Sequence, residues 1–248
     1  MTDLIQHTLD EGLLTVRLNR PDKLNALTNA MYARLAQLFE MAEQDPQVAV
    51  IVLTGSSSCF TAGNDLPDFL ERPPTDLQSP VFRMMRAVMA LEKPLIAAVA
   101  GPAIGIGTTL LLHCDQVLVS RDAKLRTPFV ALGVCPEFGA SLLLPQLLGH
   151  ARAAQLLLCN QTLSGEQAVQ WGLATELCED GAQCQAAAIT LARRLQRLPA
   201  EALRVSKRLL KAPQREALAA TVSTEGLLFI ERLNSAEAKA ALASAMRR

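Results

Sequence analysis

Apolar positions along the chain keep two rhythms, and the places where they change mark the elements. Leu4 to Leu9 and Leu13 to Leu18, parted by Asp10-Glu11-Gly12, predict a hairpin. Thr28 is placed to cap a helix running to about Gln44, with Met31, Leu35, Leu38 and Phe39 on its apolar face. Val48 to Thr54 is a continuous apolar run, the pattern of a strand buried on both faces, and Leu95 to Val99 repeats it. Residues 67 to 80 carry Pro67, Asp68, Glu71, Pro73, Pro74, Asp76 and Pro80 without periodicity, which predicts a mobile flap with Asp68 and Glu71 in solvent. A helix from Val81 to Leu91 follows, and Thr108 to Leu112 is read as a helix before a strand at Gln116 to Ser120. Beyond Glu137 the pattern is helical apart from a short apolar run at Leu173 to Leu177. The last helices, at about 183–198, 199–211 and 216–233, carry apolar faces larger than a monomer covers, which suggests burial between subunits.

Composition narrows this picture by exclusion. Half of the 248 residues are apolar, enough for one large core with a helical extension. Lys+Arg and Asp+Glu stand at 24 each, so no global field draws the chain to nucleic acid or to an anionic membrane. Six cysteines without a C-x-x-C pair, and a first segment without signal-peptide character, point to a reducing cytoplasm. The uncharged stretch Pro94 to Cys114 is interrupted by Gly101, Pro102, Gly105 and Gly107, which argues against a membrane span. No metal-ligand cluster is visible, and no cofactor is called for. Gly105-x-Gly107 lacks the third glycine of a dinucleotide fingerprint, its place being taken by Leu110.

The chemistry lies in two glycine-bearing loops, Ala62-Gly63-Asn64-Asp65-Leu66 and Gly101-Pro102-Ala103-Ile104-Gly105-Ile106-Gly107, each following an apolar strand. Such a pair can aim two main-chain N–H groups at one oxygen, and fixed peptide donors need no reorganisation when charge develops on a bound carbonyl. Enolate chemistry follows from that arrangement.

With Asn19-Arg20-Pro21-Asp22-Lys23-Leu24-Asn25-Ala26-Leu27 before them, these loops resemble the crotonase (enoyl-CoA hydratase/isomerase) superfamily in order and spacing over essentially the whole chain. The resemblance implies an α/β fold: a spiral of ββα repeats over residues 1–195 with an acyl-CoA site, and a C-terminal helical region, 196–248, that forms a homotrimer or hexamer. It implies an acyl-CoA thioester as substrate, with CoA part of the substrate and no separate cofactor. The oxyanion donors carried over are the main-chain N–H groups of Asn64 and Ile106. Lys23, Ala26, Ala62, Gly63, Asp65, Leu66, Gly105 and Phe129 are the expected substrate contacts. Lys23 reads equally as an ordinary surface lysine, and Asp65 as a residue satisfying main-chain N–H groups where the first loop enters its helix.

The two glutamates that family hydratases use to activate water fall at Thr109 and Phe129, neither of which accepts a proton from water at neutral pH. One acid remains, Glu137. It lies in Leu132 to Ser141, a stretch that with Thr127-Pro128-Phe129 resembles the peroxisomal-type delta(3),delta(2)-enoyl-CoA isomerases and their single catalytic glutamate. The expected reaction is a shift of a 3-enoyl-CoA double bond to trans-2. Another crotonase reaction such as hydration, and a non-catalytic CoA-binding oligomer, are the alternatives. An apolar setting from Pro136, Phe138 and Phe129 would raise the carboxyl pKa, whereas a helix beginning near Phe138 would favour the anion. The sequence leaves that contest open. Cys135 and His113 read as core residues.

Overall fold

The computed structural model describes residues 3–247. The first hairpin is β1 (Ile5–Asp10) and β2 (Leu13–Leu18), followed by α1 (Asn29–Gln44), whose Thr28 side chain accepts from the Met31 N–H. Then come β3 (Val50–Thr54), α2 (Leu66–Glu71), α3 (Pro80–Ala90), β4 (Leu95–Val99), β5 (Pro102–Ile104), α4 (Ile106–Thr109), β6 (Gln116–Ser120) and β7 (Lys124–Arg126). The second half holds α5 (Ala140–Leu148), α6 (His150–Leu157), β8 (Thr162–Ser164), α7 (Gly165–Trp171), β9 (Glu176–Cys178), α8 (Gly181–Gln196), α9 (Ala200–Lys211), α10 (Arg215–Leu233) and α11 (Ala236–Ala245).

The main sheet runs β1-β2-β3-β4-β6-β9, parallel after the antiparallel first pair. Its central strands are covered on both faces, which accounts for their unbroken apolar runs. Ile51, Leu53, Ala97, Val99, Val117 and Val119 point to the side of α1 and α3, while Val50, Val52, Ile96, Ala98 and Leu118 meet Cys184, Ala188 and Ala192 of α8. A second sheet, β5-β7-β8, stands beside the first. The architecture is the α/β crotonase fold with its helical C-terminal region. Val222, Phe229, Leu233, Ala238 and Leu242 of α10 and α11 join the same core as β3 and β4.

Several expectations are corrected. The segment read wholly as a flap begins with a helix, α2, capped by Asp65 and anchored by buried Phe69. Asp68 is buried rather than solvated: it accepts from the Asn29 main-chain N–H at 2.8 Å and side chain at 3.0 Å and pairs with Arg72, whereas Glu71 is exposed. Pro102 to Ile104, read as loop, is strand β5, and β7 and β8 went unforeseen. The short apolar run at Leu173 to Leu177 leads into strand β9 at Glu176–Cys178. Among the described residues, no helix is long and apolar enough to cross a membrane.

Candidate active site

The motif from Asn19 to Leu27 acts as a brace for the first loop. Asn25, fully buried, donates through Nδ2 to the carbonyls of Cys59 (3.0 Å) and Phe60 (3.1 Å) and accepts the Arg20 N–H at 2.7 Å. Thr61 Oγ1 donates to the Asn25 carbonyl at 2.7 Å. Leu27 then clips the loop on both sides of Asn64, giving its N–H to the Gly63 carbonyl (2.7 Å) and accepting that of Asp65 (2.9 Å). This leaves the Asn64 N–H with no protein acceptor among the described residues. The Asn64 side-chain oxygen accepts from the buried Tyr32 hydroxyl. Burial first, then the carboxyls of Glu137 and Asp68, hold that phenol well above its ordinary pKa, so it stays a donor.

The second loop lies directly against the first. Thr61 N–H donates to the Pro102 carbonyl (2.9 Å), and Ile104 N–H to the Thr61 carbonyl (3.0 Å). A Cβ at Gly107 would stand 2.5 Å from Thr61 Cγ2, so only glycine lets α4 start this close to the first loop. Gly105, at φ +58° and ψ −119°, sits in a region open essentially to glycine alone, and its N–H is tied to the Arg126 carbonyl at 2.8 Å. Ile106 is the first residue of α4, where an N–H has no upstream helical acceptor, and its own side chain is buried. Among the described residues the Asn64 and Ile106 N–H groups therefore have no protein acceptor, and they lie on adjoining loops.

These loops form one wall of a cavity of about 450 Å³. Ala62, Gly63, Asn64, Leu66 and Gly105 line it with Phe129 and Glu137, and Phe229, Leu233 and Leu242 close it from α10 and α11. Glu137 is the one carboxyl among the lining residues. It is only 3% exposed, and its Oε1 has no hydrogen-bond partner among the described residues. Burial, and secondly the charge of Glu225, push its pKa up to about 8. The contest left open by the sequence is thus decided for desolvation. The helix start is at Ala140, and its donors are occupied by Glu225, which accepts Gly139 N–H (2.6 Å), Ser141 N–H (2.9 Å) and Ser141 Oγ–H.

Other expected contacts lie elsewhere. Lys23 is exposed and does not line the cavity, nor does Ala26, whose carbonyl accepts from Arg20 at 2.9 Å. Asp65 is also off the cavity: it caps α2 through the Asp68 N–H (2.9 Å) and pairs with Arg20 at 2.5 Å. Thr109 is fully buried and not among the cavity-lining residues, its hydroxyl without a partner among the described residues, and Phe129 presents only carbon. His113 lies buried and stacked on Phe138 at 3.9 Å between centroids, and Cys135 is partly buried with its thiol raised to about 11 by burial. Tyr32 and Glu225 were missed. The single tyrosine lies on the apolar stripe of α1, a signal that was available; Glu225 gave none, being one charge on a helix read as an assembly face.

One cavity lining thus holds the desolvated Glu137 carboxyl together with Asn64 and Gly105, while Ile106, the residue after Gly105, is buried and not among the lining residues. Residues 8–247 match the enoyl-CoA hydratase/isomerase family, and the chain belongs to it. It is similar throughout to the solved structure of OdaA from Pseudomonas aeruginosa, with TM-score 0.98, 53% identity and 100% of each chain covered. It is 38% identical to 1,2-epoxyphenylacetyl-CoA isomerase of Escherichia coli (strain K12), over 73% of this chain and 71% of that protein. It is 34% identical to enoyl-CoA delta isomerase 2 of Homo sapiens over 88% of this chain, spanning 57% of that longer protein.

Proposed function

We propose that the protein is a delta(3),delta(2)-enoyl-CoA isomerase, converting a 3-enoyl-CoA to the trans-2-enoyl-CoA. The observation that carries the reading is the unpartnered, buried Oε1 of Glu137 in the cavity that bears both glycine loops. Glu137 as carboxylate removes a proton from C2. The electron pair moves into a dienolate whose negative oxygen is held by the Asn64 and Ile106 N–H groups. The same carboxyl, now protonated, returns the proton to C4, and the C2–C3 double bond forms as the oxygen gives up its charge. A single base suffices, and an apolar setting keeps its proton from solvent during the transfer.

Hydration fits less well. It calls for water to be held and deprotonated while a proton is delivered to carbon, and the positions of the two hydratase acids are Thr109 and Phe129. Exposed Leu209 and Leu210 on α9, with Leu227 and Leu228 on α10, support assembly of the chain into a trimer or hexamer. The test is turnover by the purified protein on 3-enoyl-CoA beside 2-enoyl-CoA in water. Isomerisation well above hydration is expected; a protein that only hydrates would refute the reaction.

A further inference from the structure

The buried carboxylate of Glu225 has no part in the proton shuttle, yet it is 6% exposed and fully engaged. It crosses from α10 to the start of α5, and every contact it makes there is as acceptor: Gly139 N–H at 2.6 Å, Ser141 N–H at 2.9 Å and the Ser141 hydroxyl. Gly139 is only two residues on from Glu137 along the chain. Phe138 (φ +59°) and Gly139 (φ +75°) both turn left-handed just before the helix begins at Ala140. His113 holds that turn, its Nε2 donating to the Phe138 carbonyl at 2.8 Å. A carboxylate at a helix start is stabilised by the free N–H groups and the helix dipole. Glu225 takes that stabilisation, and Glu137 is left without it.

We propose that Glu225 is a positioning residue for the base: by occupying the N-terminus of α5 with its own carboxylate, it denies Glu137 those donors and keeps the catalytic carboxyl unpaired, facing substrate. The inference rests on Glu137 being the shuttle base. It adds a second carboxylate to a site that has one acid in contact with substrate, and it links α10, otherwise an assembly and wall element, to the reactivity of the base. Charge repulsion from Glu225 acts in the same direction as burial on Glu137.

The other charged or titratable groups around the site do not take over this role. Tyr32 on α1 is a neutral phenol bonded to Asn64, Asp68 on α2 is spent on Asn29 and Arg72, and Arg126 on β7 gives its Nε–H to Asn160 at 2.8 Å. Cys135 is raised to about 11 by burial, and His113 is lowered to about 4 by burial, so both are neutral at working pH. Of these, Cys135 feels the Glu225 charge, but burial is the larger cause of its shift, so its thiol stays neutral in a variant at 225.

Glu225→Gln keeps the shape and an acceptor oxygen while removing the charge. Two readouts apply: the acid limb of kcat/KM for the isomerisation, and the Glu137 titration in resting protein, followed in 13C-glutamate difference spectra assigned by subtracting Glu137→Gln. The second does not depend on which reaction the protein catalyses, so it separates failure of this inference from failure of the functional reading. Both midpoints are expected to move down by roughly one pH unit in Glu225→Gln. Ser141→Ala removes a neutral donor from Glu225, leaves its charge less compensated, and is expected to move the Glu137 midpoint the other way by a smaller amount; it serves alone if Glu225→Gln does not fold. A loss of rate equal at all pH values, with the Glu137 midpoint unmoved in the folded variants, would show a purely structural cap and overturn the proposal.

Discussion

Gly63 lies so near Ile104 that a Cβ built on it would stand 2.7 Å from the Ile104 carbonyl oxygen, and its φ of +88° is one that side chains rarely adopt. The two donor loops are therefore held in register by the absence of a side chain. Gly63→Ala is expected to push them apart and lower kcat by about 10² to 10³, the cost of one misplaced oxyanion donor. Gly105→Ala separates strain from contact, because a Cβ there meets nothing within 4 Å while the backbone remains at φ +58°. It should lose about 1 to 3 kcal/mol of stability and less activity than Gly63→Ala. Steady-state kinetics with thermal melts check both.

The first loop is braced from behind by Asn25, whose amide makes two donations and accepts one N–H in a fully buried setting. Asn25→Ala takes the bonding partner from the Phe60 carbonyl and the Arg20 amide, each costing about 1 to 3 kcal/mol, while the Cys59 carbonyl keeps the Ser56 N–H at 2.9 Å. A destabilisation of roughly 3 to 5 kcal/mol by urea denaturation is expected. A loss under 1 kcal/mol would mean that the brace is not what holds the loop.

Glu137 must be ionised to take a proton, and its pKa is raised to about 8. The acid limb of kcat/KM should accordingly rise through pH 8, not near the ordinary carboxyl value of 4.5. A profile flat from pH 6 upwards would contradict the burial argument.

Stability carries the same signature with the opposite slope. Between pH 4.5 and 8 the folded protein keeps a proton that the unfolded chain releases, so this contribution is full at acid pH and is lost as pH rises through about 8. Glu137→Gln does not titrate. It should gain on wild type by a few kcal/mol between pH 5 and pH 8.5, about 2 to 4 °C in Tm per kcal/mol. An offset in Tm that is the same at both pH values would rule this out.

What the sequence made legible follows from the range of the interactions involved. α1 and β4 could be read because a Thr cap and an unbroken apolar run are local, and both donor loops because glycine marks a backbone requirement in place. The strands β5, β7 and β8 are three residues each, too short for a period, and exist through pairing with distant chain. Asp68 looks like a flap charge until Asn29, 39 residues earlier, is folded against it. Glu225 reaches Gly139 across 86 residues, so the group that competes with Glu137 for the helix start had no mark in the sequence around either.

The most direct measurement is the rate of 3-enoyl-CoA isomerisation by purified Glu137→Gln, shown by circular dichroism to be folded, beside wild type. Loss of the base is expected to lower kcat by at least about 10² to 10⁴ while acyl-CoA binding persists. Isomerisation within a few-fold of wild type in the folded variant would contradict the role of Glu137 and with it the proposed reaction.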